Sequence, residues 1–134
     1  MNLINNPTVE RHILPVIKKG IKHPKGWGHE LHIENNDDYC SKLLVFDKGK
    51  KFSMHYHVTK YETWYVQKGK LNFNWIDPDT ADIITNKLEE GDIVTLYQGI
   101  PHQLEALEDS IIFEASIHDD IKDSYRVFKG DSQK

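Results

Sequence analysis

Apolar residues along this chain recur with a period of two, in short runs broken by Gly, Pro, Asn and Asp. Glu30-Leu-His-Ile-Glu34 alternates polar with apolar, as a half-buried strand does, and Asn35-Asn-Asp-Asp38 ends it. Ser41 to Phe46 is apolar enough for a strand buried on both faces. Thr63 to Gln67 is aromatic and β-branched, and Leu71, Phe73 and Trp75 share one face opposite Asn72 and Asn74. Further strands are expected over Ile83 to Leu88, Ile93 to Tyr97 and Ile111 to Ile117, with turns at Lys68-Gly69-Lys70, Asp77-Pro78-Asp79 and Glu90-Gly91-Asp92. No stretch before residue 119 sustains a helical period, although residues 119–128 have room for one helical turn. About ten short strands between such turns predict an all-β fold, an antiparallel double sheet or barrel.

The ends read differently from the middle. Residues 1–24 carry Pro7, Pro15 and Pro24 around Ile13, Leu14, Val16 and Ile17, which predicts an extended arm with a short strand, packed on a neighbouring subunit. Residues 25–130 form the barrel, and 131–134 are expected to be a loose tail.

With 134 residues the chain makes one domain that can bury a core without covalent staples. A net charge of −4 excludes the dominant basic face that nucleic acid requires. The lysines around Gly49 fit a solvated turn. Cys40 is the single cysteine, so no intrachain disulfide can form. Neither a signal-peptide pattern nor an apolar run of about 20 residues is present, and the expected location is cytoplasmic.

The chemistry concentrates in Gly49 to Gly69. His55 and His57 are separated by one residue, and Glu62 follows five positions after His57. On a strand the two imidazoles point the same way, with Cα atoms roughly 6–7 Å apart, which lets both reach one ion. The stretch reads as three metal ligands on a β-hairpin, with Val58 to Tyr61 as the turn. His102, in Gly99-Ile-Pro101-His102, is the candidate fourth ligand. A His-x-His pair alone is more often a half-exposed polar strand face than a metal site. No structural need, however, calls for the Glu, the flanking glycines and the later Gly-x-Pro-His turn together.

On these residues the sequence resembles the cupin superfamily, whose fold is an antiparallel double-stranded β-helix or jelly-roll barrel. Gly49, His55, His57, Glu62 and Gly69 fit the first cupin motif without a gap. Gly91, Gly99 and His102 fit the second, with Tyr97 where Pro is usual and Ala106 where Asn is usual. A looser resemblance, over about residues 24–126, is to the cupin domain of type II phosphomannose isomerases. It rests on Trp27-Gly28, Glu62-x-Trp64, Glu90-Gly91-Asp92, Gly99-x-Pro101-His102-x-Leu104-Glu105 and Phe113-Glu114, with His55 standing where that family usually has Gln.

Three His and one Glu suit one divalent ion, Fe, Mn, Ni, Co or Zn, with positions left for a substrate. Such an ion polarises the carbonyl and hydroxyl oxygens of a sugar and eases proton transfer between neighbouring carbons. Glu114 and Tyr97 are the candidate acid–base residues, and Lys42, Trp64 and Arg126 the candidate substrate contacts. Each also has an ordinary structural explanation: water-facing strand residues, core aromatics, a surface ion pair. The leading expectation is an isomerase or epimerase of a small sugar or sugar phosphate. An Fe(II) dioxygenase or a metal-dependent lyase of a small organic acid, and a non-catalytic binding module, are the alternatives. The apolar arm and barrel edges predict a homodimer.

Overall fold

The computed structural model describes residues 6–134, which form eleven strands and no α-helix. These are β1 (Ile21–Lys25), β2 (Gly28–Asn35), β3 (Cys40–Phe46), β4 (Met54–Tyr56), β5 (Glu62–Lys68), β6 (Lys70–Ile76), β7 (Ile83–Glu89), β8 (Ile93–Leu96), β9 (His102–Ala106), β10 (Ser110–Ser116) and β11 (Tyr125–Phe128). They pair antiparallel in two sheets, one ordered β1-β2-β3-β10-β5-β8 and the other β11-β4-β9-β6-β7. The expected all-β, two-sheet barrel is the observed architecture.

The inner faces of the strands explain where a site can form. Along β3 the inward residues run Lys42, Leu44, Phe46; along β5, Glu62, Trp64, Val66; along β9, His102, Leu104, Ala106. Each strand therefore starts polar and continues apolar. Register aligns the changeover: Glu114 lies opposite Lys42 and Trp64, and Ile112 lies opposite Leu44 and Val66. The apolar ends, with Leu71, Phe73, Leu88, Trp27 and Phe52, make a continuous core. The polar ends face a cavity of about 400 Å³ at the other end of the barrel. A packed apolar floor holds the polar wall in place, because interiors this dense do not deform continuously.

Several local expectations are corrected. The ligand stretch is not a hairpin: β4 belongs to the five-stranded sheet and β5 to the six-stranded one, so residues 57–61 cross between sheets. β3 is not buried on both faces. Its residues alternate buried with half-buried, since the outer face of its sheet is uncovered. The arm has no strand over 13–17, where it makes no ladder, and pairing begins only at Ile21. Residues 119–128 contain β11 and no helical turn, because Tyr125 and Arg126 pair with Tyr56 and His55.

The chain end is also more ordered than a loose tail. Asp131–Gln133 form a 3-10 turn, and Asp131 bonds the Lys51 backbone through both its amide and its carboxylate. Ser132 Oγ accepts the Gly26 amide at 3.0 Å. Gly130 lies so close to Phe52 that a Cβ there would come within 2.4 Å of the Phe52 carbonyl carbon. At Gly69, where β5 turns directly into β6, φ is +96° and a Cβ would meet Ser110 Oγ at 2.1 Å, so only glycine fits.

Candidate metal centre

The turn at 57–61 and the β4–β9 pairing bring three imidazoles together. His55 lies opposite His102 in register, and His57 follows the end of β4. One ring nitrogen from each of His55, His57 and His102 lies within 4.8 Å of the others. In every ring Nδ1 is engaged by a main-chain carbonyl: Ser53 O for His55 at 2.7 Å, Asp123 O for His57 at 2.5 Å and Ile100 O for His102 at 2.9 Å. A carbonyl only accepts, so Nδ1 carries the proton and the Nε2 lone pair is left for the cavity. Burial holds His55 and His102 neutral, with pKa values depressed to about 3. Neutral imidazoles with free Nε2 atoms are what a metal ion requires.

Glu62, at the start of β5, reaches across from the other sheet. Its Oε2 stands 3.7 Å from His57 Nε2 and its Oε1 3.9 Å from His102 Nε2. His102 Nε2 and Glu62 Oε2 are both buried without a hydrogen-bond partner. Lys60 Nζ is 3.1 Å from that Oε2, an ion-pair distance without hydrogen-bond alignment. Two buried polar atoms without partners on adjoining side chains are costly unless something else binds them. The donor set of imidazole and carboxylate, without thiolate, fits a divalent first-row cation.

The wall beside the histidines is a network of buried charge. Lys60 Nζ donates to Glu114 Oε2 at 3.0 Å and to Asp119 Oδ1 at 3.4 Å. Lys42 Nζ donates to Asp119 Oδ2 at 3.0 Å and to Glu30 Oε1 at 3.3 Å. Glu30 also meets His32 Nε2 at 2.8 Å, and the His32 ring stacks on His23 at the cavity mouth. Burial opposes charge on both lysines, but Glu114 and the carboxylates around it outweigh that and hold both ammoniums protonated. Burial, and then Glu62, raises the Glu114 pKa against the pull of Lys60 and Lys42. Burial also works against Asp119, yet Lys60 and Lys42 bring its carboxyl down to about 2. Four carboxylates, Glu30, Glu62, Glu114 and Asp119, thus share two lysines.

The residues singled out from sequence fall into three groups. His55, His57, Glu62, His102, Glu114, Lys42 and Arg126 all line the cavity. Tyr97 does not: it is 66% exposed on the outer surface, stacked on Tyr61, because it follows the last inward residue of β8, Leu96. Trp64 does not reach the cavity either. It is buried in the core, its ring packed edge-on to His102 with centroids 5.5 Å apart. Sequence reasoning missed Lys60, Glu30, Asp119 and Asp123. Lys60 sat within the ligand stretch and carried the one available signal, its nearness to Glu62.

The cupin domain family matches residues 42–115, more than half of the sequence. The chain belongs to the cupin family. No curated protein matches its sequence. Among solved structures, this cupin is similar to the capsular polysaccharide assembling protein CapF from Staphylococcus aureus. The identity there is 18% with a TM-score of 0.74, over 84% of this chain and 32% of that one. A CapF structure with the inhibitor 3-isopropenyl-tropolone aligns at 20% identity and a TM-score of 0.72, over 81% and 34% of the two chains. Bacillus subtilis oxalate decarboxylase, described with Mn(II) centres, aligns at 14% identity and a TM-score of 0.69, over 81% and 30%. The cupin spans about a third of the length of these proteins, and at such identities the likeness is one of fold.

Proposed function

We propose that this cupin holds one divalent metal ion on His55, His57, Glu62 and His102, and isomerises or epimerises a small sugar or sugar phosphate beside it. The observation that carries the reading is the Lys60–Glu114 pair, a candidate base held by an ammonium in the same buried wall as the histidines. The ion would supply Lewis acidity toward the carbonyl and hydroxyl oxygens of the substrate. A carboxylate with a raised pKa is a competent acceptor for a carbon-bound proton, which assigns Glu114 as the base. In isomerisation the proton it takes from one carbon returns to the neighbouring carbon on the same face; in epimerisation the opposite face of the same carbon takes a proton from water, and neither route needs an oxidant. Lys60, with Glu62 and Asp119 also on its ammonium, holds the Glu114 carboxylate in place.

Lys42 has a different part from the one expected of it. With Asp119 and Glu30 already on its ammonium, it holds the wall rather than a free anion. Arg126 has no ion-pair partner among the described residues and lies opposite His55 in register, so with Lys25, likewise unpaired at the cavity lining, it is available to a phosphate or carboxylate. That same guanidinium favours one second reading, a metal-dependent lyase or Fe(II) dioxygenase acting on a small organic acid. We further propose that the protein works as a cytoplasmic homodimer.

The test is metal analysis of protein purified without nickel affinity, followed by anaerobic assay of sugars and sugar phosphates with Mn²⁺ or Co²⁺. Turnover without oxygen supports the isomerase. Activity that appears only with Fe²⁺ and oxygen supports the dioxygenase, and tight binding of a sugar without turnover leaves only a binding module.

A further inference from the structure

We infer that Asp123 is a positioning residue that sets both the orientation of His57 and the path of the chain between the two sheets. One residue makes every contact involved. Its main-chain oxygen accepts the His57 Nδ1 proton. Its carboxylate accepts three successive backbone amides of the crossing: Oδ1 takes Val58 N at 2.8 Å, Oδ2 takes Lys60 N at 2.8 Å, and both share Thr59 N at 3.2 and 3.1 Å. Those amides, together with the local positive charge of three aligned N–H dipoles, hold the carboxyl below its usual range despite some burial.

The consequence follows from what this stretch carries. His57 lies immediately before the three amides and Lys60 is the last of them, so one carboxylate pins the residues between an imidazole on one wall and the ammonium that meets Glu62 and Glu114 on the other. The segment bearing Asp123 is itself fixed at its far end, where Asp119 and Asn35 exchange two hydrogen bonds, at 3.0 Å from the Asp119 amide and 2.9 Å to its carbonyl. Without the carboxylate the two strands would still pair in their own sheets, but among the described residues only the Lys60–Asp119 side-chain contact at 3.4 Å would tie residues 58–60 to the 119–124 segment, and the three backbone amides would lose their acceptor. The main-chain carbonyl of residue 123 would then no longer be held in place against His57 Nδ1, the contact that keeps its Nε2 unprotonated. Outer partners of ligating histidines typically govern metal affinity by about 10- to 100-fold.

The inference rests on the metal-site reading for its affinity arm only, and a second arm needs no metal. In long-range proton–nitrogen correlation spectra of the metal-free full chain, His57 should be the Nδ1–H tautomer, and in Asp123→Ala it should become a mixture. Co²⁺ titration should show affinity falling at least tenfold in Asp123→Ala, with an altered visible spectrum, and partial recovery in Asp123→Asn, which keeps one acceptor oxygen. Lys122→Ala, an exposed residue of the same segment that does not line the cavity, should change neither, and if Asp123→Ala does not fold, Asp123→Asn against Lys122→Ala carries both readings. An unchanged tautomer, or a fall in thermal stability with the Co²⁺ affinity and spectrum of wild type, would overturn the inference. A wild-type chain with the expected tautomer that takes up no Co²⁺ sinks the metal-site reading and leaves the positioning of His57 standing.

Discussion

Lys60 is the side chain on which the charged wall turns. It is 4% exposed and meets Glu62, Glu114 and Asp119 at once. Replacing it with methionine keeps the volume but leaves buried carboxylates without their counterion. Lys60→Met should therefore lose about 3–5 kcal/mol of stability by chemical denaturation, the cost of stripping one partner from a buried pair. An unchanged midpoint would show that the carboxylates are solvated instead. Acid should act on the same residues. His55 and His102 stay neutral in the fold down to about 3, whereas unfolded rings protonate near 6.5. Below pH 6.5 the unfolded chain thus binds more protons, so stability falls as pH falls. Asp119 adds to this lower down: its depressed pKa contributes stability above about 4 that is lost toward about 2. Denaturant midpoints of the metal-free protein should drop between pH 7 and 4 and again below 4; a flat profile from 7 to 4 contradicts the neutral imidazoles. The ligands were legible in the sequence because His55, His57 and Glu62 sit close along the chain in a recognisable spacing. Asp119 and Asp123 were not, since nothing near them in sequence says which lysines or amides they will meet.

Among the elements, those whose face alternation is local were read well. β2, β5, β6 and β10 lie where the period-two pattern put strands, and the glycine turns lie between them. Where an element's role depends on which sheet it joins, the pattern misled. The stretch from β4 to β5 has a hairpin's spacing, yet its strands pair with β9 and β10 instead of each other, and this crossing sets Glu62 opposite the imidazoles. The 3-10 turn at the chain end is a second case. It is too short to announce itself, but it closes the barrel against Gly26 and Phe52 and brings Ser132 and Gln133 to the cavity wall. Gly130→Ala puts a methyl into the Phe52 backbone, so it should cost about 1–3 kcal/mol and lower the melting temperature. A melting temperature equal to wild type would mean that this turn is not seated as described.

For the whole molecule, an unresolved demand is the apolar arm. Ile13 and Ile17 are 92% and 97% exposed, with Leu14 and Val16 beside them, and nothing among the described residues covers them. A second copy would, and light scattering should accordingly give twice the mass of the 15.7 kDa chain. A monomer at micromolar concentration would remove the dimer. Within one chain, the order of polar and apolar residues along each strand already determined an all-β fold, and the spacing of His55, His57 and Glu62 marked a candidate metal site, because strand alternation and ligand spacing are short-range properties. Only the tertiary structure decided that the polar strand ends would meet at one end of the barrel. It also set Lys60 and Glu114 beside the histidines, turned Tyr97 outward and sank Trp64 into the core. Those outcomes depend on sheet order and register, and sheet order is settled by the packing of the entire chain.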